Sequence, residues 1–152
     1  MSVRAAGLVD VSTVAAAVEE LLVELGGPRP AREELESEVG ALIEDSSLGT
    51  LLVAEREREI VGILGASWQR AIHVPGRYAT IQDLWVDAAH RSNGIGAELV
   101  GELVRLAREQ GVSRIEVGLP KESFAAIEQT EAFYRGAGFE HLGPRMRRLL
   151  DG

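Results

Sequence analysis

Two glycines one residue apart, Gly94 and Gly96, stand in the run "HRSNGIGAELV" (residues 90–100), at the point where an apolar helical pattern begins. Glycine weakens a helix, so its placement at a helix start asks for a chemical reason. The first turn of a helix leaves backbone N–H groups without intrahelical partners, and the aligned peptide dipoles add partial positive charge there. Such an end holds phosphate if no side chain blocks the approach, and glycine removes the Cβ that would block it. Arg91 adds charge at the same mouth. The competing reading is a plain strand-to-helix turn in which glycine only supplies an unusual dihedral angle.

Other phosphate motifs fail on their parts. A Walker A loop needs Lys and then Ser or Thr after its last glycine, and Gly96 is followed by Ala97 and Glu98. A dinucleotide fingerprint needs a third glycine where Leu99 stands, and it belongs in the first βαβ unit rather than after three strands. Thiol chemistry and cysteine-based zinc sites are excluded, because the chain has no Cys. His73, His90 and His141 are scattered, so no metal site is expected.

The chain that must position these residues has 152 of them, 45% hydrophobic and 26% charged, which suits one globular domain spanning residues 1–152. The N-terminus lacks the apolar core of a signal peptide and no stretch approaches a membrane span, so a cytoplasmic location without membrane attachment is expected. A net charge of −8 argues against nucleic acid as a partner, since that needs a basic footprint. The acidity is uneven: residues 1–76 carry −7 and residues 77–152 carry −1.

Strand and helix patterns interleave without repeats, the mark of an α/β or α+β class with a mixed sheet. "SVRAA" reads as a short edge strand. After Asp10, Val14, Val18, Leu21, Leu22 and Leu25 recur at helical spacing until Gly26 and Gly27, with Pro28 and Pro30 behind them, end the helix. "AREELESEVGALIED" is expected to form a second helix with an acidic outer face. "TLLVAERE" and "EIVGILGASW" read as a hairpin turning near Glu57 and Arg58, "HVPGR" as a loop, and "YATIQDLWV" as a third strand of the central sheet. A helix in "AELVGELVRLAREQG", a strand in "RIEVGL", a helix in "AIEQTEAFYRGAG" and two short strands, "FEHL" and "RMRRLL", complete the expectation.

In this order the landmarks resemble the GNAT superfamily of acyl-coenzyme A dependent N-acyltransferases. The family signature is a strand ending in leucine-any-valine, then Arg or Gln, two residues, Gly, one residue, and Gly or Ala opening a long helix. Here Leu84-Trp85-Val86 is followed by "DAAH" and by Arg91-Ser92-Asn93-Gly94-Ile95-Gly96-Ala97. A second landmark, a helix ending in Tyr and, a few residues on, Gly-Phe, is matched by "FYRGAGF" at residues 133–139. The order of elements matches over nearly all of residues 3–150. The resemblance implies a GNAT fold: a central mixed, mostly antiparallel sheet of about six to seven strands flanked by about four helices.

It also implies roles. Acetyl-coenzyme A would be the acyl donor, its pyrophosphate held at Ser92, Asn93, Gly94, Ile95, Gly96 and Ala97 with Arg91 nearby. The preceding strand is usually bulged and splayed in the family, so Leu84, Trp85 and Val86 would pair with the pantetheine arm, one N–H polarising the thioester carbonyl. Tyr134 corresponds to the general acid that protonates the departing thiolate, against the plainer reading of a core aromatic. Two departures stand out. Ile127 occupies a position where many members have a cofactor-contacting Asn, and Asp83 replaces the Glu that often serves as or positions the base, with Gln82 beside it.

Attack on a thioester needs a neutral amine, so a group must take the proton of the ammonium. Asp83 and Glu116 are the carboxylates on the two strands expected to splay. Strand alternation puts Ile81, Asp83 and Trp85 on one face and Gln82, Leu84 and Val86 on the other. Asp83 ranks first as catalytic base, Glu116 second, and His73 lies in a loop that could border the acceptor. The implied activity is N-acetyl transfer to a small-molecule amine, with a cationic one favoured by the acidic first half. A peptide or protein acceptor, a non-catalytic acyl-coenzyme A binding module and a homodimeric assembly stay open, and so does an unrelated nucleotide-binding domain.

Overall fold

Helical spacing in the first apolar run buries Val14, Ala15 and Ala17 on one side of α1 (Val11–Leu25), and Gly26, with φ of 77°, ends it by turning its N–H back to Leu22 and Val23. The second run folds as α2 (Arg32–Glu44), burying Leu35 and Val39. Glu33 and Glu34 sit in its first turn, where the helix dipole favours negative charge, and the Glu34 carboxylate accepts the Ala31 N–H at 2.9 Å. The computed structural model describes residues 1–150; Asp151 and Gly152, the end of the expected domain, lie outside the described residues. Two compact units make up the chain, Met1–Val117 and Gly118–Gly152.

The first unit is a five-stranded sheet in the order β1 (Ser2–Ala5), β2 (Gly49–Arg56), β3 (Glu59–Ala71), β4 (Val74–Val86) and β5 (Ile115–Val117). The first three pairings are antiparallel and β4–β5 is parallel. β2 and β3 meet in the expected two-residue turn, where Glu57 and Arg58 both take positive φ, the hand that matches strand twist. Alternation along β3 divides the core. Ile63 faces α1 and α2, in a cluster with Val14, Ala17, Val39, Leu51, Val53 and Trp85. Gly62 lies on the opposite face under α3 (Ile95–Glu109), which buries Ile95, Leu99, Val100, Leu103 and Ala107. Each such aliphatic side chain contributes on the order of 1.5–3 kcal/mol. A Cβ at Gly62 would stand 2.9 Å from Ile95 and 3.1 Å from Leu99, so glycine there lets the first turn of α3 settle on the sheet beside the end of β4.

The second unit carries α4 (Ile127–Gly136). Behind it Gly138, with φ of 95°, turns the chain so that Phe139 packs edge-on against Tyr134 at 5.4 Å and its N–H reaches the Tyr134 carbonyl at 2.9 Å. Phe133 meets the other side of the Tyr134 ring at 5.1 Å. The "FYRGAGF" run is thus a helix end folded onto its own tyrosine.

Three expectations are corrected. The sheet has five strands among the described residues rather than six to seven, because residues 139–142 and 145–150 form no ladder. Alternation in "RMRRLL" puts Met146, Arg148 and Leu150 on one side and Arg145, Arg147 and Leu149 on the other, so neither side is apolar enough to drive pairing, and Met146, Leu149 and Leu150 are exposed. The expected "HVPGR" loop is also strand: β4 begins at Val74 and absorbs Pro75 and Gly76 at a register irregularity. Ile81, finally, does not share a face with Asp83, for a reason that belongs to the site.

Candidate active site

Pairing of β4 with β5 runs from Ala79 opposite Ile115 to Ile81 opposite Val117 and stops there. Beyond it β4 keeps its β3 partners, with Gly65 opposite Asp83, Leu64 opposite Leu84, Ile63 opposite Trp85 and Gly62 opposite Val86. The other edge of residues 82–86 therefore has no strand beside it among the described residues, and apart from the Val86 carbonyl, which Arg91 holds, the backbone groups along it are open to a ligand.

A bulge marks the same place. Ala66 pairs with Ile81 and Gly65 with Asp83, which leaves Gln82 as the extra residue. Alternation restarts after the bulge. Ile81 lies with Ala66 on the α3 face, whereas Asp83 and Trp85 look toward α1 and α2, and Leu84 and Val86 toward α3. The bulge also brings in Gln82, which strict alternation had placed with Leu84: its side-chain amide donates to Ser67 Oγ at 2.9 Å, on the Asp83 face. Gln69 donates to the same oxygen at 3.0 Å. Nothing local in "TIQDLWV" signals this, since a bulge is a property of two paired strands.

Past β4 the Asp87 N–H returns to the Val61 carbonyl at 2.9 Å, and His90 Nδ1 meets the Asp87 carboxylate at 2.8 Å. Arg91 donates from Nε to the Val86 carbonyl at 3.1 Å and pairs with Glu24 of α1, so its guanidinium straps the loop to the strand end and to that helix. Ser92 and Gly94 both take left-handed backbone, φ of 70° and 79°, and the Glu98 N–H closes the first helical bond on the Gly94 carbonyl at 3.1 Å. The amides of Ile95, Gly96 and Ala97 thus come before the first intrahelical bond. Ser92, Asn93, Gly94 and Ala97 are exposed. The Ile95 side chain is buried in the core, so it offers backbone alone. A Cβ on Gly94 would meet nothing within 4 Å beyond its chain neighbours, so the position that opens the helix is itself uncrowded.

Asp83 is half-buried and has no ion-pair partner among the described residues. Burial pushes its carboxyl above the ordinary carboxylate value. Glu116 is tied to Arg114 Nε at 2.8 Å and sits opposite Thr80, on the paired part of β4. His73 stands exposed at the tip of the β3–β4 hairpin, about 30 Å of strand away from Asp83. Tyr134 belongs to the second unit, where burial raises its hydroxyl pKa to about 12. A depression of 410 Å³ lined by Arg4, Asp10, Thr13, Glu55, Arg58 and Glu59 is a separate feature. Within it Arg4 donates to both Asp10 oxygens at 2.8 and 3.1 Å and pairs with Glu55.

The raised carboxyl of Asp83 has a sign that can be tested. A folded-state pKa above the unfolded value means that native Asp83 opposes folding once ionised, a penalty absent below pH ~4 and complete above the raised folded value. Asp83→Asn is expected to melt higher than wild type at pH 7 and equally at pH 3.5, by calorimetry at both pH values. A variant that melts lower at pH 7 would mean that the carboxylate is stabilised by a partner.

A mixed sheet with helices on both faces and a final parallel pair that parts at its end defines the class, an α/β fold shared with solved acetyltransferases. A possible acetyltransferase from Clostridium difficile 630 superposes with a TM-score of 0.84 at 20% identity, over 99% of this chain and 97% of that one. A predicted acetyltransferase with acetyl-CoA from Clostridium acetobutylicum gives 0.78 at 18% identity, over 97% and 95%. Residues 15–139 match the sequence model of the Acetyltransferase (GNAT) family, and the chain belongs to that family. Among curated relatives, N-acetyltransferase 8 of Homo sapiens is 31% identical over 91 residues, which are 60% of this chain and 38% of that protein. No helix among the described residues is long and apolar enough to cross a membrane.

Proposed function

We propose that the chain transfers an acetyl group from acetyl-coenzyme A to the primary amine of a small cationic molecule, with both compact units acting as one domain. The observation that carries the reading is the β4 edge left free after Ile81, which runs directly into the helix start opened at Gly94. A free strand edge suits the amide groups of a pantetheine arm, and the backbone amides of residues 92–97, which precede the first helical hydrogen bond, suit a pyrophosphate. Membership of the family and the match that crosses from the first unit into the second support both parts of the proposal.

Acetyl-coenzyme A supplies an activated thioester. The backbone of Leu84, Trp85 and Val86 holds the arm and lends an N–H to the carbonyl oxygen as charge develops on it. Asp83, placed among apolar neighbours with a raised pKa, takes the proton that the ammonium must lose, directly or through a water. The amine nitrogen bonds to the acyl carbon, the C–S bond breaks, Tyr134 protonates the sulfur, and the second proton that the nitrogen must lose restores the Tyr134 hydroxyl, directly or through water, while Asp83 returns its proton to solvent. The excess of acids in residues 1–76 attracts a cation.

A screen of amines with acetyl-coenzyme A, read as released thiol, tests this. Cationic amines should dominate the hits, and added salt should raise their Michaelis constants. In Asp83→Asn the rate should fall and the rising limb of its pH profile should move toward the amine's own pKa, about 10.4 for an alkylamine. Thiol release with peptides alone would move the acceptor to a protein N-terminus, and coenzyme A binding without release would leave a non-catalytic module.

A further inference from the structure

Trp85 is only 8% exposed, and its indole N–H is the one buried side-chain polar atom without a hydrogen-bond partner among the described residues. Trp68, the other tryptophan, donates to the Ser46 carbonyl at 3.2 Å. Buried donors are nearly always paired, because burial strips them of water, so an unpaired one marks a place where another group belongs.

Its position indicates which group. Trp85 and Asp83 point to the same face, one pleat apart, which sets their Cα atoms about 7 Å from each other. The strand beside Asp83 has no side chain at Gly65, where a Cβ would lie 3.4 Å from Asp83 Oδ2 and 3.8 Å from Leu51. Asp83 therefore overhangs a notch that has the Ser67, Gln69 and Gln82 hydrogen-bond group on one side and apolar side chains on the other. The Trp85 ring forms the next row along, with Val53 and Ile63 in register and Val14, Ala17 and Val39 of the two helices in the same cluster. One acceptor for a proton and one donor of a hydrogen bond are the polar groups this row of the face offers.

We infer that Trp85 selects the acceptor: the substrate is an amine carrying a hydrogen-bond-accepting oxygen, a hydroxyl or an amide carbonyl, two to four bonds from the nitrogen. The nitrogen lies at Asp83 and the oxygen takes the Trp85 N–H. This rests on the acetyltransferase reading and narrows its substrate class. A plain alkylamine satisfies Asp83 and leaves the indole unpaired, so it binds less well.

The test compares 2-aminoethanol and glycinamide with n-propylamine, all of similar size, with kcat/KM expressed per neutral amine because the oxygen-bearing amines are the less basic. In wild type the oxygen-bearing amines should exceed n-propylamine in kcat/KM by at least about tenfold, mostly through KM. In Trp85→Phe, which keeps an aromatic ring and loses the N–H, that ratio should fall to about one. The indole N–H resonance of Trp85 in the wild-type protein gives a readout independent of turnover. Saturating 2-aminoethanol or glycinamide should move it downfield, and n-propylamine should not. Whichever of the two moves it assigns the oxygen as hydroxyl or carbonyl. Equal rates for all three amines in wild type would overturn the inference and leave acetyl transfer standing. So would an unchanged ratio in a folded Trp85→Phe variant, since the indole would then make no contact with the acceptor. No thiol release with any amine, in a protein whose indole resonance still responds to the oxygen-bearing pair, would remove the transferase reading and keep the binding site.

Discussion

Gly94→Asn is expected to weaken coenzyme A binding by about one to two orders of magnitude, the loss that follows when charge-assisted hydrogen bonds from backbone amides to phosphate are obstructed. The reason lies in the backbone. Gly94 sits at φ of 79° and ψ of 8°, a left-handed conformation that asparagine adopts with little cost, so the ligand-free melting temperature should shift by no more than about 2 °C. No atom beyond its chain neighbours lies within 4 Å of the position a Cβ would take, so the new side chain projects into open space at the helix start. Gly94→Val is the companion. A β-branched residue in this conformation is strained by about 1–2 kcal/mol or more, so it should lose both stability and affinity. Titration calorimetry on the pair separates the two uses of glycine that the sequence leaves open. Normal affinity in the asparagine variant, with only the valine variant impaired, would reduce Gly94 to a supplier of dihedral angle.

Tyr134→Phe is expected to lower turnover by about two to four orders of magnitude with coenzyme A affinity unchanged, the range for a general acid. Removing one oxygen leaves the edge-on contacts with Phe133 and Phe139 in place, so stability should change little. The pH dependence follows from a hydroxyl held at about 12: Tyr134 keeps its proton across the neutral range, and it imposes no descending limb on the wild-type rate below about pH 11. Thiol release under saturating substrates measures both. Turnover at the wild-type level would return Tyr134 to a packing role beside Phe139.

Much of the fold is legible in the sequence alone, and the reason is locality. Val14 through Leu25 recur at helical spacing and Gly26 stops them; Leu84-Trp85-Val86 reads as a strand end, and five residues on, Arg91 to Ala97 read as a helix start. These features depend on residues within a turn or two of one another, so periodicity and short motifs carry them. The four helices, the family and the choice of Asp83 with Gly94 as residues to watch came from such signals. Where the reading failed it was on pairing. Residues 139–142 and 145–150 look extended but present no apolar side to a neighbour, and "HVPGR" joins β4 because β3 is there to pair with it.

The sequence by itself determined the order of the elements, the place where α3 begins and the residue types available for proton and phosphate chemistry, because each of these is written in near neighbours. The tertiary structure alone decided that β4 leaves β5 at Ile81 and that the bulge at Gln82 sends Asp83 and Ile81 to opposite faces. It also decided that Glu24 claims Arg91, that Arg114 claims Glu116, and that the Trp85 N–H is buried without a partner. Each of these is a matter of register or of contact between segments far apart in the chain, and a shift of one residue in a strand pairing reverses which face a side chain sees.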